Sequence, residues 1–100
     1  LHAEAIIPDG YVLANNYPNP FNPATTLSYG LPEASQVVLS IYDLKGRLVS
    51  TLVNESRDAG YHTAIWNGTD QNGRPVGAGM YIYRIQAGSY GQARKMILLK

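Results

Sequence analysis

Apolar and polar residues alternate with a period of two along most of the chain. Thr25, Leu27, Tyr29 and Leu31 interleave with Thr26, Ser28 and Gly30, and Val37, Leu39 and Ile41 interleave with Val38, Ser40 and Tyr42. This period sends successive side chains to opposite faces, so each run predicts a half-buried β-strand. The pattern returns from Tyr61 to Trp66, with His62, Ala64 and Trp66 on one side, and from Met80 to Ala87, where Tyr81, Tyr83, Ile85 and Ala87 share a face. Tyr11 to Ala14 predicts a short edge strand, and Arg47 to Val53 another strand. The last run, Gln92 to Lys100, carries Met96, Ile97, Leu98 and Leu99 in succession, which predicts a strand covered on both faces.

Turn formers separate these runs. Asp43-Leu44-Lys45-Gly46 supplies glycine where a positive φ is needed, so the strands on either side form a hairpin. Asn54 to Gly60 is polar and predicts a surface connection between sheets. Asn67 to Pro75 predicts a long exposed hairpin loop. Gly79, two residues before Tyr81, predicts close backbone packing or a bulge. No helical period is present. Seven short strands at a spacing of roughly ten residues predict an all-β fold, an antiparallel β-sandwich of immunoglobulin-like or fibronectin-like type. The lone tryptophan, Trp66, is expected to anchor its core.

One stretch breaks the alternation by design. In Asn15-Asn16-Tyr17-Pro18-Asn19-Pro20-Phe21-Asn22-Pro23 the three prolines fix φ, remove donors and restrict the residues before them, so no regular element runs through. It is a stiff corner. Phe21, the chain's one phenylalanine, is expected to plug the core from this corner.

Composition narrows the function classes. One hundred residues suit a single domain able to bury its own core. Residues 1–10 read as a linker from an upstream domain and residues 11–100 as the sandwich. With no cysteine, disulfides and thiolate metal sites are excluded. A net charge of +1 with both signs scattered gives no footprint for nucleic acid. No stretch approaches the roughly 20 apolar residues of a membrane helix, so no membrane insertion is expected.

Candidate chemistry is sparse. His2 and His62 lie far apart, and neither has a second imidazole at ligand spacing. Glu4, Asp9, Glu33, Asp43, Glu55, Asp58 and Asp70 fall almost entirely at turns. Asp70-Gln71-Asn72-Gly73 opens like a calcium loop but has no later acidic ligand. Gly77-Ala78-Gly79 lacks the lysine and helix of a phosphate loop. The expectation is therefore a non-enzyme without cofactor or metal. Tyr42, Tyr61 and Tyr90 are placed toward solvent by the alternation. A carbohydrate-binding platform would need two or three such rings coplanar on one sheet.

The order of particular residues is more specific. Asn16-Tyr17-Pro18-Asn19-Pro20-Phe21-Asn22-Pro23 is followed by Leu31-Pro32-Glu33, Ile41-Tyr42-Asp43, Gly46, Gly60, Trp66-Asn67-Gly68, Gly79-Met80-Tyr81 and the closing Lys95-Met96-Ile97-Leu98-Leu99-Lys100. This order resembles the type A C-terminal sorting domain of type IX (Por) secretion cargo in Bacteroidetes and relatives. It is also similar to the immunoglobulin-like module of flagellar hook-capping proteins. Ala64 departs from the family pattern, which more often has a larger aliphatic there. The resemblance implies a signal domain on an upstream cargo domain, exported through the periplasm for release or surface attachment. Its implied partners are the type IX translocon or shuttle and a sortase-like peptidase, with cleavage before Tyr11. On this basis the sorting-signal candidates are Gly79, Tyr81, Lys95, Met96, Ile97, Leu98, Leu99 and Lys100. The structural motif comprises Asn16, Pro18, Asn19, Pro20, Phe21, Asn22, Pro23, Trp66 and Gly68. An accessory module binding carbohydrate or protein within a multidomain secreted enzyme is the alternative, and an open sheet edge would allow a weak homodimer.

Overall fold

The computed structural model describes residues 6–99. Among these residues the chain forms seven strands: β1 (Val12–Leu13), β2 (Thr25–Leu31), β3 (Ser35–Tyr42), β4 (Leu48–Arg57), β5 (Gly60–Trp66), β6 (Gly79–Ala87) and β7 (Tyr90–Leu98). A three-stranded sheet, β1-β2-β5, faces a four-stranded sheet, β4-β3-β6-β7, and every pairing of neighbouring strands is antiparallel. This is an immunoglobulin-like β-sandwich.

The period-two pattern decides which side chains meet between the sheets. Leu27, Tyr29 and Leu31 of β2 join Val37, Leu39 and Ile41 of β3, Trp66 of β5, Tyr83, Ile85 and Ala87 of β6, and Met96 and Leu98 of β7 in one buried cluster. Tyr61 and Ile65, out of phase with Trp66, face solvent. Phe21 reaches into the same core from outside the strands and is 1% exposed.

Four expectations change. β4 continues to Arg57 rather than ending at Val53, because Ser56 and Arg57 still pair with Gln36 and Ser35. Its polar end reflects an edge strand with little to cover it, and the crossing to the other sheet shortens to Asp58-Ala59. Residues 67–75 do not join β5 to β6 as a hairpin, since those strands lie in different sheets; the loop instead closes on itself through an antiparallel bridge between Thr69 and Pro75. Gly79 meets no close neighbour and lies in no bulge; its φ of +146° at the start of β6 is what favours glycine there. Finally, β7 is covered on one face only: Met96 and Leu98 turn inward, whereas Ile97 and Leu99 are exposed.

Of the predicted linker, residues 1–5 lie outside the described residues. Pro8 is buried against Gly30, where an added Cβ would stand 2.9 Å from the proline ring and 3.1 Å from the Tyr61 ring.

Candidate functional site

The proline corner and the C-terminal strand, remote in sequence, are joined by backbone bonds. The Phe21 N–H donates to the Ile97 carbonyl at 3.0 Å, and the Leu99 N–H donates to the Phe21 carbonyl at 2.8 Å. Asn19 Oδ1 accepts the Ile97 N–H at 3.0 Å. Together they close the free edge of β7 from Ile97 to Leu99.

The corner itself is held by polar side chains under cover. Asn16 Nδ2 donates to Thr25 Oγ1 at 3.0 Å, and Thr25 Oγ1 donates to the Pro18 carbonyl at 2.8 Å. Both side chains are buried, so each bond carries weight that a surface bond would not. Pro18, Pro20, Asn22 and Pro23 remain exposed and shape the backbone.

Aromatic rings extend the junction inward. Phe21 tilts against Trp66 at 5.7 Å between centroids, and Trp66 meets Tyr81 edge-on at 5.1 Å. Trp66 Nε1 donates to the Thr69 carbonyl at 2.9 Å, and the Tyr81 hydroxyl donates to the Gly77 carbonyl at 2.7 Å, so neither polar tip is stranded. Burial pushes the Tyr81 hydroxyl pKa up. Gly68, at φ +74°, lies where a Cβ would stand 3.3 Å from the Pro23 carbonyl and 3.4 Å from Leu98. Thus Asn19, Phe21, Pro23, Trp66 and Gly68 converge with Tyr81 on the end of β7. Gly79 pairs with Leu98 at the same end but adds no side-chain contact. Lys95 is exposed, and Lys100 lies outside the described residues.

Two features were not visible in the local pattern. Arg94 points inward on β7, its Nε donating to the Leu13 carbonyl at 2.7 Å and its guanidinium to Asn15 Oδ1 at 3.1 Å. An arginine in phase with Met96 and Leu98 was the available signal. The second is a repeated turn, Asp43-Leu44-Lys45-Gly46-Arg47 and Asp70-Gln71-Asn72-Gly73-Arg74. In each, the aspartate Oδ1 accepts the N–H two residues on at 2.9 Å and that of the arginine at 3.0 Å. The glycines take φ of +82° and +80°. These bonds, led by that from the Arg47 backbone, hold the Asp43 carboxyl below its ordinary value.

A surface hollow of about 280 Å³ beside Gly79 and Tyr81 is lined also by Asp43, Lys45, Arg47 and Met80, and its carboxylate is already engaged by Arg47. His62 Nε2 donates to the Asp58 carbonyl at 2.7 Å, and the ring stacks on Tyr29. Tyr90 stacks on Tyr11 at 5.2 Å, whereas Tyr61 belongs to the other sheet, so Tyr42, Tyr61 and Tyr90 form no common platform. No helix among the described residues is long and apolar enough to cross a membrane.

Comparison with known proteins agrees with this geometry. The crystal structure of dimeric latent PorU from Porphyromonas gingivalis contains a similar module: 27% identity and a TM-score of 0.73 over 97% of this chain and 10% of that one. The chain thus spans about a tenth of that relative. PorZ, an essential bacterial surface component of the type-IX secretion system of the same organism, is 21% identical over 92% of this chain and 12% of its own, with a TM-score of 0.61. FlgD from Xanthomonas campestris, studied for hook capping in flagellar assembly, is 24% identical over 91% of this chain and 63% of its own, with a TM-score of 0.60. The latter two share the fold. No curated protein matches the chain. The FlgD Ig-like domain family, however, matches residues 19–91, nearly three quarters of the sequence, and to that family the chain belongs.

Proposed function

We propose that this chain is a non-catalytic sorting module that directs an attached cargo protein through a type IX system across the outer membrane, for release or surface attachment. The observation that carries the proposal is the likeness to the PorU module over 97% of this chain, which includes the terminal strand. The FlgD Ig-like match ends at residue 91, two residues into β7. What the chain shares with PorU therefore extends through the strand the family match leaves out.

On this reading a translocon or shuttle protein recognises the outward side of the final strand, Lys95, Ile97 and Leu99, while Met96 and Leu98 hold that strand to the core. A sortase-like peptidase then acts upstream of Tyr11. The test is a folded periplasmic reporter fused ahead of Leu1 to Lys100 in a bacterium with a type IX system. Reporter found outside the cell, and trapped when the translocon is deleted, supports the proposal. Retention of the reporter with the domain folded contradicts it.

The family match favours one second reading, an immunoglobulin-like assembly module of the hook-capping kind. Export of the fusion independent of any type IX translocon would favour it.

A further inference from the structure

The part of β7 that the proline corner leaves uncovered has its own character. Tyr90 pairs with Ala87 across the Gly88-Ser89 turn, and the antiparallel ladder turns every second residue of β7 away from β6. Ile97 is one of these outward residues, as its bonds to Asn19 and Phe21 show. Gly91, Ala93 and Lys95 are in the same phase, and among the described residues their outward N–H and C=O groups have no backbone partner. Arg94, the in-phase arginine turned inward, ties this stretch to β1, so the edge is held in place but not closed.

The side chains beside this edge are basic. From Gly79 to Leu98 the chain carries Arg84, Arg94 and Lys95 and no acidic residue. Arg84 stands across from Ala93 and Lys95 across from Ile82 on the outer face, and neither forms an ion pair among the described residues. Ala93 is small enough to let the Arg84 side chain reach over it to a strand beyond. A shallow dimple of about 150 Å³, lined by Ile82, Ala93, Arg94 and Lys95, opens at the same place. A second β7 docking here would bring Arg84 and Lys95 against their own copies, which like-charge repulsion disfavours.

We propose that the Gly91 to Lys95 edge of β7 binds an acidic, extended segment of a partner protein by strand addition. The partner backbone continues the four-stranded sheet, and carboxylates two residues apart on its outer face meet Arg84 and Lys95. The inference deepens the sorting proposal by giving the partner's chemistry at the same strand. Peptide binding is measured without export, so either can fail alone.

The experiment titrates the isotope-labelled 100-residue chain with a short synthetic peptide alternating glutamate and threonine, and with its lysine-for-glutamate counterpart. Saturable amide shifts centred on Gly91, Ala93 and Lys95 with the acidic peptide, and none with the basic one, are expected. Lys95→Glu should reverse that preference, which a loss of folding would not produce. Ala93→Pro removes an outward donor without touching the β6 ladder and should weaken the acidic peptide by about tenfold or more. Equal response to both peptides, shifts centred elsewhere, or binding unchanged in Ala93→Pro would overturn the proposal. So would self-association of the chain abolished by Ala93→Pro, which would assign the edge to a second copy.

Discussion

Phe21 and Leu98 form a parallel bridge, the corner carrying Phe21 lying against the strand carrying Leu98. The ring of Phe21 faces the core while its backbone faces the edge, so one residue both packs and caps. Replacing Phe21 by alanine should cost about 3–5 kcal/mol, as for other large buried aromatics. Asn19→Ala removes only the acceptor for the Ile97 N–H and should cost about 1 kcal/mol. Chemical denaturation measures both. Hydrogen exchange should show the Ile97 amide accelerated in Asn19→Ala with the Leu99 amide, bonded to Phe21, still protected.

The turn built on Asp43 makes stability sensitive to acid. Its carboxyl is held below the ordinary value, so the stabilisation is present above the unfolded pKa of about 3.9 and is lost as pH falls through the folded value. Urea midpoints followed from neutral pH into acid should decline, and Asp43→Asn should flatten that decline.

Tyr83 supplies the alkaline limit. Its hydroxyl donates to the Ala14 carbonyl at 2.7 Å, tying β6 to the segment after β1, and burial raises its pKa. The neutral phenol is the form the fold favours. Its contribution is therefore complete below the unfolded pKa of about 10 and is lost as pH rises through the raised folded value. Tyr83→Phe should cost about 1 kcal/mol at neutral pH and reduce the loss of stability in alkali, read from thermal midpoints.

Gly30 makes room for Pro8. An alanine there would place its Cβ 2.9 Å from the proline ring, and the cheapest relief is release of the segment rather than movement of β2. Gly30→Ala should therefore speed proteolysis between Ile6 and Gly10 by several-fold while leaving core amides protected. Unchanged cleavage would mean that the segment is held by other contacts.

Strand positions were legible because each buried face follows a two-residue period, and Trp66 and Phe21 declared themselves by size. The end of β4 was not, since Asn54, Glu55 and Ser56 are polar for want of a covering layer rather than for want of a partner strand. Met96 to Leu99 misled for the opposite reason: consecutive apolar residues suggested two covered faces, yet Ile97 and Leu99 point to solvent. The bonds of Asn19 to Ile97 and of Arg94 to Leu13 join residues about eighty positions apart, and no local pattern carries them. The convergence of the corner, the Trp66 loop and β7 thus belongs to the tertiary structure, although most of its members were marked by type.

The alternation along β7 separates recognition from folding. Lys95, Ile97 and Leu99 can be changed together to serine in the reporter fusion without entering the core, while Met96→Ala serves as the variant that weakens the fold. The measurement is the fraction of reporter outside the cell, alongside the thermal midpoint of each purified domain. Loss of export by the triple variant at a nearly unchanged midpoint is predicted. Export that persists in the triple variant, and falls only in step with stability in Met96→Ala, would contradict the account.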